Sequence, residues 1–443
     1  MKKLYMTAIA LMGAISMHAQ GWPADYEGVM LQGFYWNSYR ASKWQKLEAQ
    51  ADDLAPYFSL VWIPQSANCG SGRSMGYDDL YWFSNYNSSF GNEAELRSMI
   101  RTFRNKGIGT IADVVINHRN TLTSWTDFPV ETYKGVTYRM YPADICHDDD
   151  KGNTYNWANS QTPKVSLSNK YDSGDGWDGM RDLDHYSSNV QTVVKAYLDM
   201  LLNDLGYAGF RYDMVKGYAG LFTGIYNSAA KPRFSVGEYM DGNATTVKAW
   251  INATKVNGEP TSAAFDFPVR YAVRDLIASK WSGKAKEGLA SDPAYRRYAV
   301  SFVENHDTEY RSSSEQQDPI RQDTLAANAY ILASCGTPCV FYKHWLAYPT
   351  DIKMMINARH AAGIANTSNT TFNEYTGSQC NVLKTEGSHG TLYAVLGANA
   401  DAYKAPAGFT EILRGHNYRY LLSNSSNVAW VDLPSGRYDN VQK

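Results

Sequence analysis

Eight short β-rich runs separated by helical patterns constrain the fold of this chain more than any other feature. The runs are Gly28–Trp36, Leu60–Pro64, Ile108–His118, Gly209–Asp213, Phe234–Glu238, Ala263–Phe267, Ala299–Asp307 and Pro338–His344. Strands that alternate with helices pair in parallel, and eight such units are what a closed (β/α)8 TIM barrel requires. The spacing between runs predicts the helices. Val190, Val193, Val194, Tyr197, Leu198, Leu201 and Leu205 recur on one face of a helix expected over Asn189–Gly206. Glu93–Lys106, Gln322–Ser334 and Thr350–Ile364 read in the same way.

Three of the runs end in a carboxylate: Asp213, Glu238 and Asp307. In a parallel barrel the C-terminal strand edges share one face, so three such ends build an acid cluster there. Hydrolysis of a glycosidic bond needs two flanking carboxyl groups, one as proton donor and one as nucleophile or base. The pattern therefore points to a glycosidase. Arg211 lies two residues before Asp213 on the same strand face, where its cation is expected to face that carboxylate. Glu238 must start protonated, which requires burial or the negative charge of the neighbouring aspartates. A retaining mechanism expects the two carboxyl groups about 5–5.5 Å apart.

The rhythm breaks between the third and fourth runs. Residues 119–185 are rich in Asp, Gly, Asn, Ser and Tyr, and predict an irregular inserted domain over the catalytic face. Something must pin so long an insertion, and a metal ion is the obvious device. Beyond Ile364 the chain turns to short apolar segments such as Thr391–Gly397 and Val428–Leu433, which predict a C-terminal antiparallel β domain over 365–443. The barrel is then expected over 20–118 and 186–364.

Lys2, Lys3, the apolar stretch Leu4–Ile15 and Ala19 read as a signal peptide over residues 1–19. That predicts export to the periplasm or the extracellular medium. No other stretch is long enough to span a membrane. A formal charge of −2 gives no reason to expect nucleic acid as a partner. The 33 tyrosines and 12 tryptophans can fill a large core and also line a groove for sugar rings. Cys69, Cys146, Cys335, Cys339 and Cys380 leave an odd thiol, and their spacing gives no metal pattern. They are expected as buried thiols or structural disulfides.

Four ordered segments carry a family resemblance: Asp113-Val-Val-Ile-Asn-His118, Gly209-Phe-Arg-Tyr-Asp-Met-Val-Lys216, Gly237-Glu238 and Phe302-Val-Glu-Asn-His-Asp307. Together they resemble the motifs of the alpha-amylase family. Gly28–Trp36 and Gly336–Tyr342 are similar to its first and eighth strands, and the details near Lys216 and Asp182-Leu-Asp-His185 are closest to plant-type members. The resemblance implies a barrel, an insertion after strand three and a C-terminal β-sandwich. It implies retaining endo-hydrolysis of α-1,4-glucosidic bonds in starch, glycogen or maltooligosaccharides, by a protein expected to be a monomer.

Carried onto this sequence, the family makes Asp213 the nucleophile, Glu238 the general acid/base and Asp307 the carboxylate that stabilises the transition state. His118 and His306 become ligands of sugar hydroxyls, and Tyr77 the ring that stacks on the same sugar. Arg211 and Lys216 join the substrate-binding set, Lys216 towards the leaving-group sugar. A structural Ca2+ is implied as well, held by side chains of Asn117, Asp172 and Asp182 and by backbone oxygens of Asp175 and Gly217. Asp148-Asp-Asp150 lacks a calcium-loop pattern and is expected to be solvated. Tyr239 stands where a tryptophan is common in the family, and Gly217 where many members place a histidine. Two rival readings are a transglycosylase or narrow maltooligosaccharide hydrolase on the same fold, and a non-catalytic starch-binding protein. The second has no use for an intact acid trio.

Overall fold

The structure, a computed structural model, describes residues 21–431. The leader assigned to residues 1–19 lies outside them, as does the end of the segment Val428–Leu433. Eight strands close into a parallel barrel: β1 (Met30–Gln32), β2 (Leu60–Ile63), β3 (Gly109–Val114), β4 (Gly209–Tyr212), β5 (Phe234–Gly237), β6 (Ala263–Phe265), β7 (Ala299–Phe302) and β8 (Thr337–Phe341). They follow one another around the barrel in chain order, and β8 pairs with β1 to close it. Gly109 apart, every strand residue is buried, because helices cover the outer face and side chains fill the interior.

All eight runs form strands, but three stop well short of the ends of their runs. β3 ends at Val114, so Asn117 and His118 lie beyond it, and His118–Arg119 pairs instead with Arg181–Asp182. β7 ends at Phe302, five residues before Asp307. There Asn305 Oδ1 accepts from the backbone N–H groups of Asp307 and Thr308, a side-chain turn that competes with the strand ladder. β1 is the shortest of the three, ending at Gln32 rather than Trp36.

The helices form where expected. Glu93–Asn105 starts in a capping box between Asn92 and Glu95. Ser188–Asp199 is capped by the Ser187 side chain and widens into a π-turn over Met200–Leu205 before Gly206 ends it at φ 89°. Thr324–Ala333 is buried along its whole length between the barrel and the C-terminal sheet. Among the described residues, no helix is long and apolar enough to cross a membrane.

The insertion contains a hairpin (Glu131–Tyr133 with Val136–Tyr138) and one helix, Asn153–Ser160. Buried ion pairs hold it. Arg119 meets Glu131, whose carboxylate also accepts from the N–H groups of Trp82, Phe83 and Ser84. Arg181 meets Asp149, which in turn accepts from the N–H of Asp182. The expectation that Asp148–Asp150 is solvated is therefore corrected. Asp149 is buried and partnered, and Asp148 accepts from the N–H of Asp172.

The C-terminal part forms one antiparallel sheet of β9 (Asn369–Gly377), β10 (Cys380–Glu386), β11 (Thr391–Leu396), β12 (Thr410–Gly415) and β13 (Tyr418–Leu422). Its order is β9-β10-β11-β13-β12. Among the described residues this is a single sheet rather than a sandwich. The barrel helices do the work of a second sheet: Tyr420 Oη donates to the Ala329 carbonyl at 2.6 Å, and Tyr418 Oη to Asp351 at 3.1 Å. Residues 428–431 form no strand. All five cysteines are buried free thiols, and desolvation pushes their pKa values up, which suits packing rather than chemistry.

Candidate active site

Asp213 and Glu238 each directly follow a barrel strand, β4 and β5, and their backbones stay in the ladder. The Asp213 N–H donates to Val114 and the Glu238 N–H to Tyr212. The two side chains thus emerge side by side at the C-terminal face. Arg211, fully buried, sits beneath them and joins both: its Nη1 lies 2.7 Å from Asp213 Oδ1 and its Nη2 2.8 Å from Glu238 Oε2. The same Nη1 is 2.7 Å from Asp113 Oδ1, the residue paired with Arg211 across β3 and β4. One guanidinium therefore serves three carboxyl groups.

Burial separates their behaviour. Glu238 is 8% exposed, and desolvation, opposed by Arg211 and reinforced by the charges of Asp213 and Asp307, pushes its pKa up to about 7. Burial is the larger cause; the aspartates assist. A carboxyl group poised near neutrality can give and take back a proton. The Met214 N–H donates to Glu238 Oε2 at 3.1 Å and fixes the carboxyl orientation. For Asp307, whose side chain is 35% exposed, burial works against ionisation. His306 and Arg211 outweigh it, and hold this carboxyl below the usual range.

The three acids border a cleft of about 420 Å³, also lined by Trp36, Tyr77, His118, Asp175, Trp177, Met214, Lys216, Met240 and His306. Such a volume suits a few sugar units. Tyr77, His306 and Trp36 have nearly parallel rings, Tyr77 and His306 at 5.3 Å and Trp36 and Tyr77 at 6.1 Å between centroids. The Tyr77 hydroxyl lies between Asp113 Oδ2 (3.0 Å) and His306 Nε2 (2.7 Å), and the ring is locked in place. His118 Nε2 bonds the Tyr77 carbonyl at 2.9 Å, and burial lowers its pKa. Lys216 lies 3.5 Å from Asp175 and over the ring of Tyr239.

All eight acids and substrate residues named from the sequence therefore meet at one cleft or directly beneath it. The sequence reading gave no role to Asp113, Trp36, Trp177 or Met240. Asp113 had a signal: an acid inside the apolar run Gly109–Val114 needs a buried partner. Trp177, 42% exposed and stacked on His118 at 5.5 Å, had none, because it sits in an irregular loop.

The five residues implied for calcium also converge beside the cleft. Asn117 Nδ2 is 3.3 Å from Asp182 Oδ1, and a Cβ added to Gly176 would contact both Asp182 Oδ2 (3.5 Å) and Asp172 Oδ2 (4.0 Å). The Asp175 N–H donates to the Lys216 carbonyl, which draws the 172–176 loop onto the Lys216–Gly217 turn. A Cβ on Gly217 would lie 2.0 Å from Asn117 Oδ1, so any larger residue there must displace the Asn117 side chain. Asp172 Oδ2 is buried with no hydrogen-bond partner. Burial, with the charges of Asp148 and Asp149 added, raises Asp172 to about 6; burial, with Asp172 and Asp149 added, raises Asp182 to about 8. Two desolvated carboxyl groups among amide and backbone oxygens fit a hard cation. Among the described residues no group of three His, Cys, Asp or Glu side chains could hold a metal. Such a set supplies only two carboxylates and falls outside that pattern.

Comparison with known proteins gives the family. The model of the alpha-amylase catalytic domain matches residues 71–362. The chain is similar to probable alpha-amylase 2 of Arabidopsis thaliana, 28% identical over 352 residues, which cover 74% of this chain and 78% of the relative. It is also similar to the chloroplastic alpha-amylase 3 of that plant, 28% identical over 75% of this chain and 37% of the relative. A glucan 1,4-alpha-maltotetraohydrolase of Roseateles saccharophilus is 28% identical over 88% of this chain and 71% of its own length.

Proposed function

We propose that this chain, which belongs to the alpha-amylase family, is an endo-acting α-amylase that cleaves α-1,4-glucosidic bonds with retention. The observation that carries the reading is the single Arg211 guanidinium shared by Asp213 and Glu238, with Glu238 raised to about 7. The shared partner places both carboxyl groups at one point of the cleft, and retaining hydrolysis expects them about 5–5.5 Å apart.

Glu238 donates its proton to the glycosidic oxygen while Asp213 attacks the anomeric carbon, and the leaving chain departs as an alcohol. Glu238, now ionised, takes a proton from water, which displaces Asp213 and restores both groups. Asp307 opposes the positive charge that develops on the sugar ring in each step. His306 and His118 meet hydroxyls of the reacting sugar, Tyr77 supports its apolar face, and Lys216 faces the leaving side. Asn117, Asp172, Asp182 and the backbone of Asp175 and Gly217 are the residues that would hold Ca2+. The cation would supply charge balance and join the insertion to the barrel, with no part in the proton transfers. In this reading the barrel comprises 20–118 and 186–364, the insertion 119–185 and the C-terminal domain 365–443. The leader at 1–19 supports export, and the protein acts as a monomer on starch, glycogen or maltooligosaccharides.

The test is a soluble-starch digest followed by product size over time, beside Glu238→Gln. A rapid fall in chain length, lost in the variant, is expected. Starch binding without cleavage by either protein overturns the reading, and longer or rearranged glucans point to transfer.

A further inference from the structure

Asp213 and Glu238 are held by the strands they follow, but Asp307 stands five residues past the end of β7 on a loop. Its side chain is also the most exposed of the three, at 35%. A carboxylate that must face a developing charge needs some other means of being held. His306 supplies one contact, Nε2 to Asp307 Oδ2 at 3.0 Å. On the other side stands Arg311, four residues further on, with Nη2 3.9 Å from Asp307 Oδ1.

Arg311 is itself clamped. Its Nη2 donates to the His306 carbonyl at 2.6 Å, and its guanidinium lies 4.3 Å over the ring of Trp36. Trp36 is fixed in turn by the buried carboxylate of Glu309, which accepts from its backbone N–H at 2.7 Å and pairs with Lys343. The loops after β1 and β7 are thereby joined by the Arg311–Trp36 contact and by the Glu309–Trp36 hydrogen bond. Only 16% of the Arg311 side chain is exposed, so the guanidinium is held in place beside the carboxylate.

We infer that Arg311 is a positioning residue that fixes Asp307, and the Trp36 ring beside it, in the orientation the reaction needs. The inference rests on the α-amylase reading and assigns that site a component which the acid trio alone does not contain. The charged and titratable groups around Asp307 are His306, Arg211, Arg311, Glu238 and Tyr77. Three are cationic or become so; Arg211 is shared with Asp213 and Glu238, whereas Arg311 acts on Asp307 and on Glu309. Its loss frees the carboxylate to rotate and makes it easier to protonate.

The experiment compares wild type, Arg311→Met and Arg311→Lys on a chromogenic maltooligosaccharide, with kcat, KM and the pH profile of kcat/KM measured for each. Arg311→Met keeps the packing on Trp36 and removes the charge. We expect kcat to fall about tenfold with KM changed less than about twofold, and the acid limb to move to higher pH. Arg311→Lys should restore the acid limb and most of kcat. An unmoved acid limb with kcat near wild type in Arg311→Met overturns the inference. So does a loss that Arg311→Lys shares in full. If Arg311→Met fails to fold, the acid limb of Arg311→Lys decides, since a retained charge must leave it where wild type has it. A wild type that cleaves nothing sinks the α-amylase reading instead, which separates the two failures.

Discussion

At the scale of single residues, the site works by giving one buried cation to several acids. Arg211 has no solvent to turn to, and neither has Asp113. Removing one member of a buried charged cluster costs about 3–5 kcal/mol, because the partners stay desolvated and unpaired. Arg211→Met should therefore lower stability by that order as well as abolish activity, and a denaturant titration checks it. Glu238→Gln keeps the shape and removes the proton. It should reduce kcat by about 10²–10⁴-fold, with the fold preserved by circular dichroism. The pH dependence follows in sign. Glu238 must be protonated to start the reaction, so kcat/KM falls as pH rises through its value of about 7. A pH profile with no basic limb near neutrality contradicts that assignment. The three acids assigned to catalysis were legible in the sequence because each closes an apolar run. Asp113 was legible only in part: the run that contains it was plain, but its partner is set by strand register, which periodicity does not give.

At the scale of elements, the insertion shows where sequence reading stops. Its position after the third strand follows from the break in rhythm, and so does its irregular character. What pins it was only half visible. The Arg119–Glu131 and Arg181–Asp149 pairs join residues 12 and 32 apart in a segment without periodicity, and nothing local marks them as partners. The Asp172–Asp182 strap lies against the barrel through Asn117 and the Lys216–Gly217 turn, and it leaves Asp172 Oδ2 unpartnered. Calcium should therefore raise the melting temperature and a chelator lower it, measured by thermal unfolding. At a hundredfold excess over Kd the gain is about 2.7 kcal/mol. Asp182→Asn should remove most of that response. Gly217→Ala should weaken it and lower stability in its own right, because the added Cβ collides with Asn117 Oδ1. A melting temperature indifferent to calcium in wild type would falsify the cation reading while leaving the acid cluster untouched.

At the scale of the whole molecule, barrel and C-terminal sheet share one apolar core. Leu383, Leu392, Leu396, Tyr420 and Leu422 belong to the same packed cluster as Leu325, Ile331 and Ile356. Calorimetry should show one cooperative transition for both. A chain ended at Ile364 should aggregate, because it exposes the helices that the sheet covers. The barrel was legible because eight units must close and each strand is buried on both faces. The single sheet was less so, since short turn-rich segments do not reveal what their inner face meets.

The most direct test of the account is the configuration of the first sugar released, followed by proton NMR during hydrolysis of a maltooligosaccharide. With Asp213 as the nucleophile the reaction is a double displacement, so the α-anomer should form first and the β-anomer only later by mutarotation. Initial release of the β-anomer would contradict the account, because it requires a water between the two acids rather than a bond to Asp213.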